Sequence, residues 1–161
     1  MNEAFTAFFD LLESSFVSVS IRQSIWLYPF IEIIHIFGIV LVAGGAVLFD
    51  LQLLFSKQHQ FIEKSAYGLL TWSKRGLLVA IPSGALLFIT NATALSVDPV
   101  FGMKLFMLLL AALNAWIFHV RVYLPYVESQ SYFNWKMAKT NAVFSIILWM
   151  SVISFGRLLA Y

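Results

Sequence analysis

The chain has no cysteine, and only 11% of its 161 residues are charged. Without thiols there can be no disulfide, thiolate nucleophile, iron–sulfur cluster or zinc–cysteine site. A soluble domain ordinarily has about a quarter of its residues charged, and a small one has too much surface to cover with fewer. The formal net charge is only +2, and the basic residues are scattered singly, so no nucleic-acid partner is expected. Apolar side chains are plentiful instead: 61% of the residues are hydrophobic and 17% aromatic, and the mean hydropathy is +0.86. This composition specifies an integral membrane protein of one-domain length whose main partner is the lipid bilayer.

Four apolar stretches are long enough to cross a bilayer, which takes about 20 residues each. They cover residues 25–49, 76–95, 101–124 and 140–160. None alternates with period two, so each is predicted to be a helix, which satisfies its own backbone in lipid. Pro29 falls in a first helical turn, where a missing donor is tolerated. Pro82 falls inside the second span and should kink it. Asp98-Pro99 is a turn, so spans two and three should form an antiparallel hairpin. The expected fold is all-α: an up-down four-helix membrane bundle over residues 23–161. An amphipathic interfacial helix over residues 1–22 precedes it. There Phe5, Phe8, Phe9, Leu12, Phe16 and Val19 recur at helical spacing between Glu3, Asp10 and Glu13. With no basic start and no clean apolar run, this segment does not read as a signal peptide.

Lysine and arginine set the expected orientation. Lys57, Lys64, Lys74 and Arg75 flank the first connection, and Arg121, Lys136 and Lys139 the third. The opposite side has only Arg22, Lys104 and Arg157. Both termini are therefore expected outside. Trp26, Tyr28, Trp72, Tyr123, Tyr126, Tyr132 and Trp135 mark the interfaces.

Ionisable groups inside spans are costly and usually face the bundle interior. In the outer half, all four helices contribute: Glu32 and His35, then Asn91, Lys104 and Arg157. These lie roughly 6–13 Å outward of the midplane at a rise of about 1.5 Å per residue. Glu32 and His35 share a face that continues through Gly38, Val42, Gly45 and Phe49. The two glycines leave room for another helix backbone or for a flat cofactor. The inner half holds Asp50, His119, Arg121 and Asn141, and Asp50 is expected to pair with Arg75 or Arg121. His119 shares a stripe with Ala115, Ala112, Ala111 and Leu108, which reads as a close-packing face.

Two intramembrane histidines suggest b-type haem, which hangs between helices on such ligands. Against a single haem bridging His35 and His119 stands an offset of roughly 16 Å in depth along parallel helices. One-histidine ligation or sharing across a homo-oligomer is left. Glu32-x-x-His35 is also half of a di-metal carboxylate pattern, but no second pair exists. Metal ligation is therefore expected only as haem iron on His35 or His119. A quinone carbonyl, a lipid phosphate or a carboxylate would equally suit a cluster of net charge about +1. The same residues can serve as structural glue, with Glu32 on Lys104 or Arg157 and His35 on Asn91. No nucleophile–base pair, phosphate loop or H-E-x-x-H motif is present.

Trp26-x-x-Pro29-x-x-Glu32-x-x-His35-x-x-Gly38, then Gly45 and Asp50-Leu51-Gln52-Leu53-Leu54, resembles a family of small bacterial membrane proteins classed as a domain of unknown function. Trp72 with Gly76, Phe101-x-x-Lys104, Asn114 with His119, and Gly156-Arg157-x-x-Ala160-Tyr161 continue the likeness over residues 24–161. The resemblance implies four helices in the bacterial inner membrane, where the outside termini expected from the lysine and arginine count are periplasmic. Gln52 stands where that family usually has an arginine. The stretch Ile33-Ile34-His35-Ile36-Phe37-Gly38 with Gly45 and Leu53-Leu54 is also similar to four-helix haem-dependent protoporphyrinogen oxidases and small b-type cytochromes. Glu32 replaces the lysine of those oxidases. These likenesses imply porphyrin binding. The expected function is redox work with haem b or a quinone held by His35, His119, Glu32, Lys104, Arg157 and Asn91, alongside a membrane redox partner. The alternative is a non-catalytic membrane subunit or assembly scaffold with no cofactor.

Overall fold

A computed structural model describes residues 3–55, 59–129 and 133–159. Lys57, Tyr132, Ala160 and Tyr161 lie outside the described residues. The fold is all-helical. Helices α1 (Glu3–Glu13) and α2 (Phe16–Gln23) precede α3 (Leu27–Phe55) and α4 (His59–Thr90). The short α5 (Ala92–Val97) leads into α6 (Pro99–Phe118), a π-helical turn (His119–Tyr123), α7 (Leu124–Ser129) and α8 (Trp135–Leu158). Four stretches are long and apolar enough to span a membrane: Leu27–Phe55, Gly68–Thr90, Pro99–Tyr126 and Trp135–Leu158. The chain is a multi-pass membrane protein, and its outward side chains contact lipid.

Local sequence sets where the helices begin. Asp98 accepts from the amides of Val100 and Phe101 at 2.6 and 3.2 Å, and Pro99 occupies the first turn of α6. The Asn134 side chain accepts from the Met137 amide at 3.1 Å and starts α8. Both satisfy amides that a helix start leaves unpaired.

The four long helices run alternately up and down. α3 lies between α4 and α8, and α8 packs in turn on α6. Spans two and three are consecutive and antiparallel, as expected, but they pack little on one another. They meet where Phe88 stacks on Phe101 at 5.4 Å, while α4 spends its packing face on α3. The reason is the small-residue face of α4. A Cβ on Gly38 would fall 2.8 Å from the Ala80 amide nitrogen. One on Gly76 would fall 2.9 Å from the Gly38 carbonyl. Two backbones this close need residues without side chains at the crossing. The Ser73 hydroxyl also donates to the Val42 carbonyl across this interface, at 3.3 Å.

One end of the array carries a collar made of α1, α2 and α5. The N-terminal segment is two helices rather than one, because Ser15 turns outward and accepts from the Ser18 amide at 3.3 Å to start α2. The collar is tied to the end of α4. The Ser18 hydroxyl, fully buried, donates to the Ile89 carbonyl at 3.1 Å. Glu13 accepts from the Thr93 amide at 3.1 Å and pairs with Arg22 at 2.9 Å. Phe9 meets Phe88 edge to face. At the far end, Phe49, Leu53, Phe118, Val122, Phe133, Ala138 and Ala142 form the apolar core. Asn114 and Asn141 clamp α6 to α8 there: each side-chain amide donates to the other's backbone carbonyl at 3.2 Å.

Candidate functional site in the helix array

His35 lies two turns into α3 and turns its ring onto α4. Its Nδ1 is 3.0 Å from the Ser83 hydroxyl. That hydroxyl is 2.6 Å from the Val79 carbonyl and 3.3 Å from the Ala80 carbonyl. A serine has one proton to give, and carbonyls only accept, so the proton goes to the helix backbone. Ser83 must then accept from His35, which places the imidazole proton on Nδ1 and leaves a lone pair on Nε2. Gly84 makes this possible: a Cβ there would sit 2.8 Å from the His35 Cε1.

Lys104 approaches from α6. Its stem lies over Gly156 of α8, with Cε and Nζ at 3.7 and 3.8 Å from where a Cβ would stand. The ammonium is near enough for its charge to act on the His35 ring. Half-buried Lys104 and His35, with buried Ser83, therefore form a polar centre drawn from three helices, and Gly156 opens the fourth. This centre can offer a hydrogen-bond donor, the ammonium, and an acceptor, Nε2, inside a low-dielectric region.

Several other residues expected at the site have exposed side chains. Glu32 and Arg157 are exposed, and so is Asn91 at the break between α4 and α5. Asn91 reaches its neighbour Thr90, at 3.5 Å, rather than His35. His119 is exposed where α6 passes into the π-helical turn, and its ring stacks on Tyr123 with centroids 5.6 Å apart. The inward face of α6 runs through Ala111, Phe118 and Val122, while Ala112 and Ala115 are exposed. The alanine stripe is therefore not a packing face as a whole. Ala111 lies on the inward face with Phe118 and Val122, and Ala112 and Ala115 are left uncovered.

The room beside Gly38 and Gly45 is filled by α4, with Ser73 and Leu69 against Gly45. Among the described residues, no group of three or more His, Cys, Asp or Glu side chains could hold a metal.

Asp50 also departs from expectation. It is buried, and among the described residues it pairs with neither Arg75 nor Arg121. Arg75 lies over the Trp72 ring, 5.4 Å from its centroid, and Arg121 is exposed. Asp50 turns toward α8 instead, where Ser145 hydrogen-bonds its carboxyl. Residue spacing in the sequence does not single out Ser83 or Ser145. The signal that picks them out is their position: each stands across from an ionisable residue of α3 and can bond it.

The chain matches no protein-family model, no curated protein and no solved structure.

Proposed function

We propose that this is a redox protein of the bacterial inner membrane that binds a quinone at His35 and Lys104. The observation that carries this reading is the pairing of opposite hydrogen-bond roles. The His35 Nε2 has a lone pair because Ser83 fixes the tautomer, and the Lys104 ammonium is near enough for its charge to act on the ring. A quinone carbonyl accepts from Lys104. Two electrons from a membrane redox partner and two protons from water reduce the quinone to a quinol whose hydroxyl donates to Nε2. On reoxidation both electrons return to that partner, one proton passes to His35 Nε2 and the other to water. Ionisable groups kept inside a membrane array are expensive unless used.

Haem b suits these residues less well. The space beside the α3 glycines is filled by α4, and His119 stands exposed near the other end of its helix. The lysine and arginine balance supports an orientation with both termini outside, on the periplasmic side of the inner membrane.

A second reading is a non-catalytic subunit. It draws support from the glycine contacts between α3 and α4, which need no ligand. One experiment separates the three readings: an oxidised and dithionite-reduced spectrum of the detergent-purified chain, with solvent extraction of bound quinone. Quinone near stoichiometric in wild type and lost in His35→Ala and Lys104→Ala supports the proposal. A Soret band overturns it in favour of haem. A colourless, quinone-free protein with co-purifying partners overturns it in favour of the subunit.

A further inference from the structure

Asp50 sits on α3 five residues, about 8 Å, from the helix end. Only 6% of its surface is exposed. Its carboxyl is hydrogen-bonded by Ser145 of α8. Its Oδ2 is buried and has no partner among the described residues. A carboxylate in such a place needs compensation by a cationic side chain, a metal ion or a proton.

Among the described side chains, which leave out Lys57, His59 and Lys64, cationic groups do not supply it: Lys74 and Arg75 of α4 are exposed, as are Lys136 of α8 and Arg121 beyond α6. His119 is exposed and stacks on Tyr123. Among the described residues Lys139 of α8 forms no ion pair with Asp50, and Arg22 of α2 pairs with Glu13 in the collar at the opposite end of the array. A metal ion is also poorly served. A hard cation takes six or more oxygens, and Asp50 and Ser145 offer few. Gln52 has a buried, unpartnered oxygen too, but at two residues' distance it points to the other side of the helix. What is left is a proton.

We infer that Asp50 is a proton-binding site in the membrane interior, a carboxyl that takes up and releases one proton at the end of the array away from the collar. The step is the making and breaking of one O–H bond on Oδ2, with no other bond changed and no electrons moved. Ser145 stays bonded to the other oxygen and holds the group in place. A purely structural residue here would not need to be an acid, since an asparagine would bond Ser145 without ever facing ionisation. This inference does not rest on quinone binding at His35.

The test is infrared spectroscopy of the full chain in lipid vesicles, with aspartate carboxyls labelled by carbon-13. The sequence has three aspartates, Asp10, Asp50 and Asp98. Asp10 accepts from Thr93 in the exposed collar and Asp98 caps α6, so of the three only Asp50 is buried inside the array. The expected result is an isotope-shifted carboxylic-acid band at neutral pH that vanishes in alkaline buffer and shifts in heavy water. It is lost completely in Asp50→Asn. Absence of the band at neutral pH overturns the inference. So does a band unmoved by alkali and heavy water, which marks a sealed, non-exchanging acid. The labelled wild-type protein alone decides both points, whether or not the variant folds.

Discussion

Replacing Gly76 with alanine should separate α3 from α4. The new Cβ would stand 2.6 Å from the Leu41 Cβ and 2.9 Å from both the Gly38 carbonyl and the Val42 amide nitrogen. Comfortable carbon contacts lie at about 3.5–4.0 Å, so the helices must part by roughly half an ångström or more. None of these atoms is the free end of a side chain that could swing aside. Overpacking of this kind costs about 1–3 kcal/mol. Alanine's better helix propensity returns up to about 1 kcal/mol. Gly44 lies on the same pair of helices, and a Cβ there meets nothing within 4 Å. Gly44→Ala thus carries the propensity gain alone, and the difference between the two variants isolates the steric term. That difference corresponds to a factor of about 5 to 150 in the folding equilibrium, at about 1.4 kcal/mol per tenfold. The assay is unfolding in mixed micelles by SDS titration, followed by helicity. If Gly76→Ala proves as stable as Gly44→Ala, the α3–α4 contact does not hold the array as described.

Three further outcomes follow from other contacts. Gly84→Ala pushes on the His35 ring rather than on backbone, so it should weaken quinone binding several-fold in a fluorescence-quenching titration while the SDS midpoint stays near wild type. Asn114→Ala and Asn141→Ala each break the reciprocal clamp and should cost about 0.6–2 kcal/mol, the range for polar contacts between membrane helices. Their double variant should cost less than the sum of the two. In the collar, the Thr93 hydroxyl and amide, and then the Arg22 charge, hold the Glu13 carboxyl below its ordinary value of 4.5. The single Thr93 hydroxyl proton faces both Glu13 and Asp10. A lowered carboxyl stabilises the fold above its unfolded value, and that support is lost as pH falls through the folded value. The Thr93 amide resonance should therefore move on acidification below 4.5, and Glu13→Gln should abolish the titration.

Span number and helix type were legible because a bilayer enforces length and apolarity on every spanning segment. The His35 face was legible from spacing: Gly38, Val42, Gly45 and Phe49 are all buried. Partners were harder to read. Glu32 shares that face in a helical wheel, yet one turn nearer the helix end it is exposed, because burial there depends on what α2 and α4 cover. Asp50 seemed to call for an arginine, but charge attraction cannot show which helix lies opposite, and α8 offers a serine. The two-helix collar turned on Ser15, whose capping role depends on a local backbone bend that hydrophobic periodicity does not encode.

His35 and Asp50 are fifteen residues apart on one straight element. At about 1.5 Å and about 100° per residue, that separates them by about 22 Å in depth and about 60° in direction. The offset is what sends His35 to Ser83 on α4 and Asp50 to Ser145 on α8. It also puts them far beyond direct proton transfer, which requires hydrogen-bond distance. Phe49 and Leu53, both buried beside Asp50, offer no polar relay. The two groups therefore act as separate stations on one helix. Their substitutions should be additive: His35→Ala combined with Asp50→Asn should change stability by the sum of the single changes, within about 0.5 kcal/mol. A larger interaction energy would mean that α3 transmits strain between its two ends, and the two sites would then have to be treated as one machine.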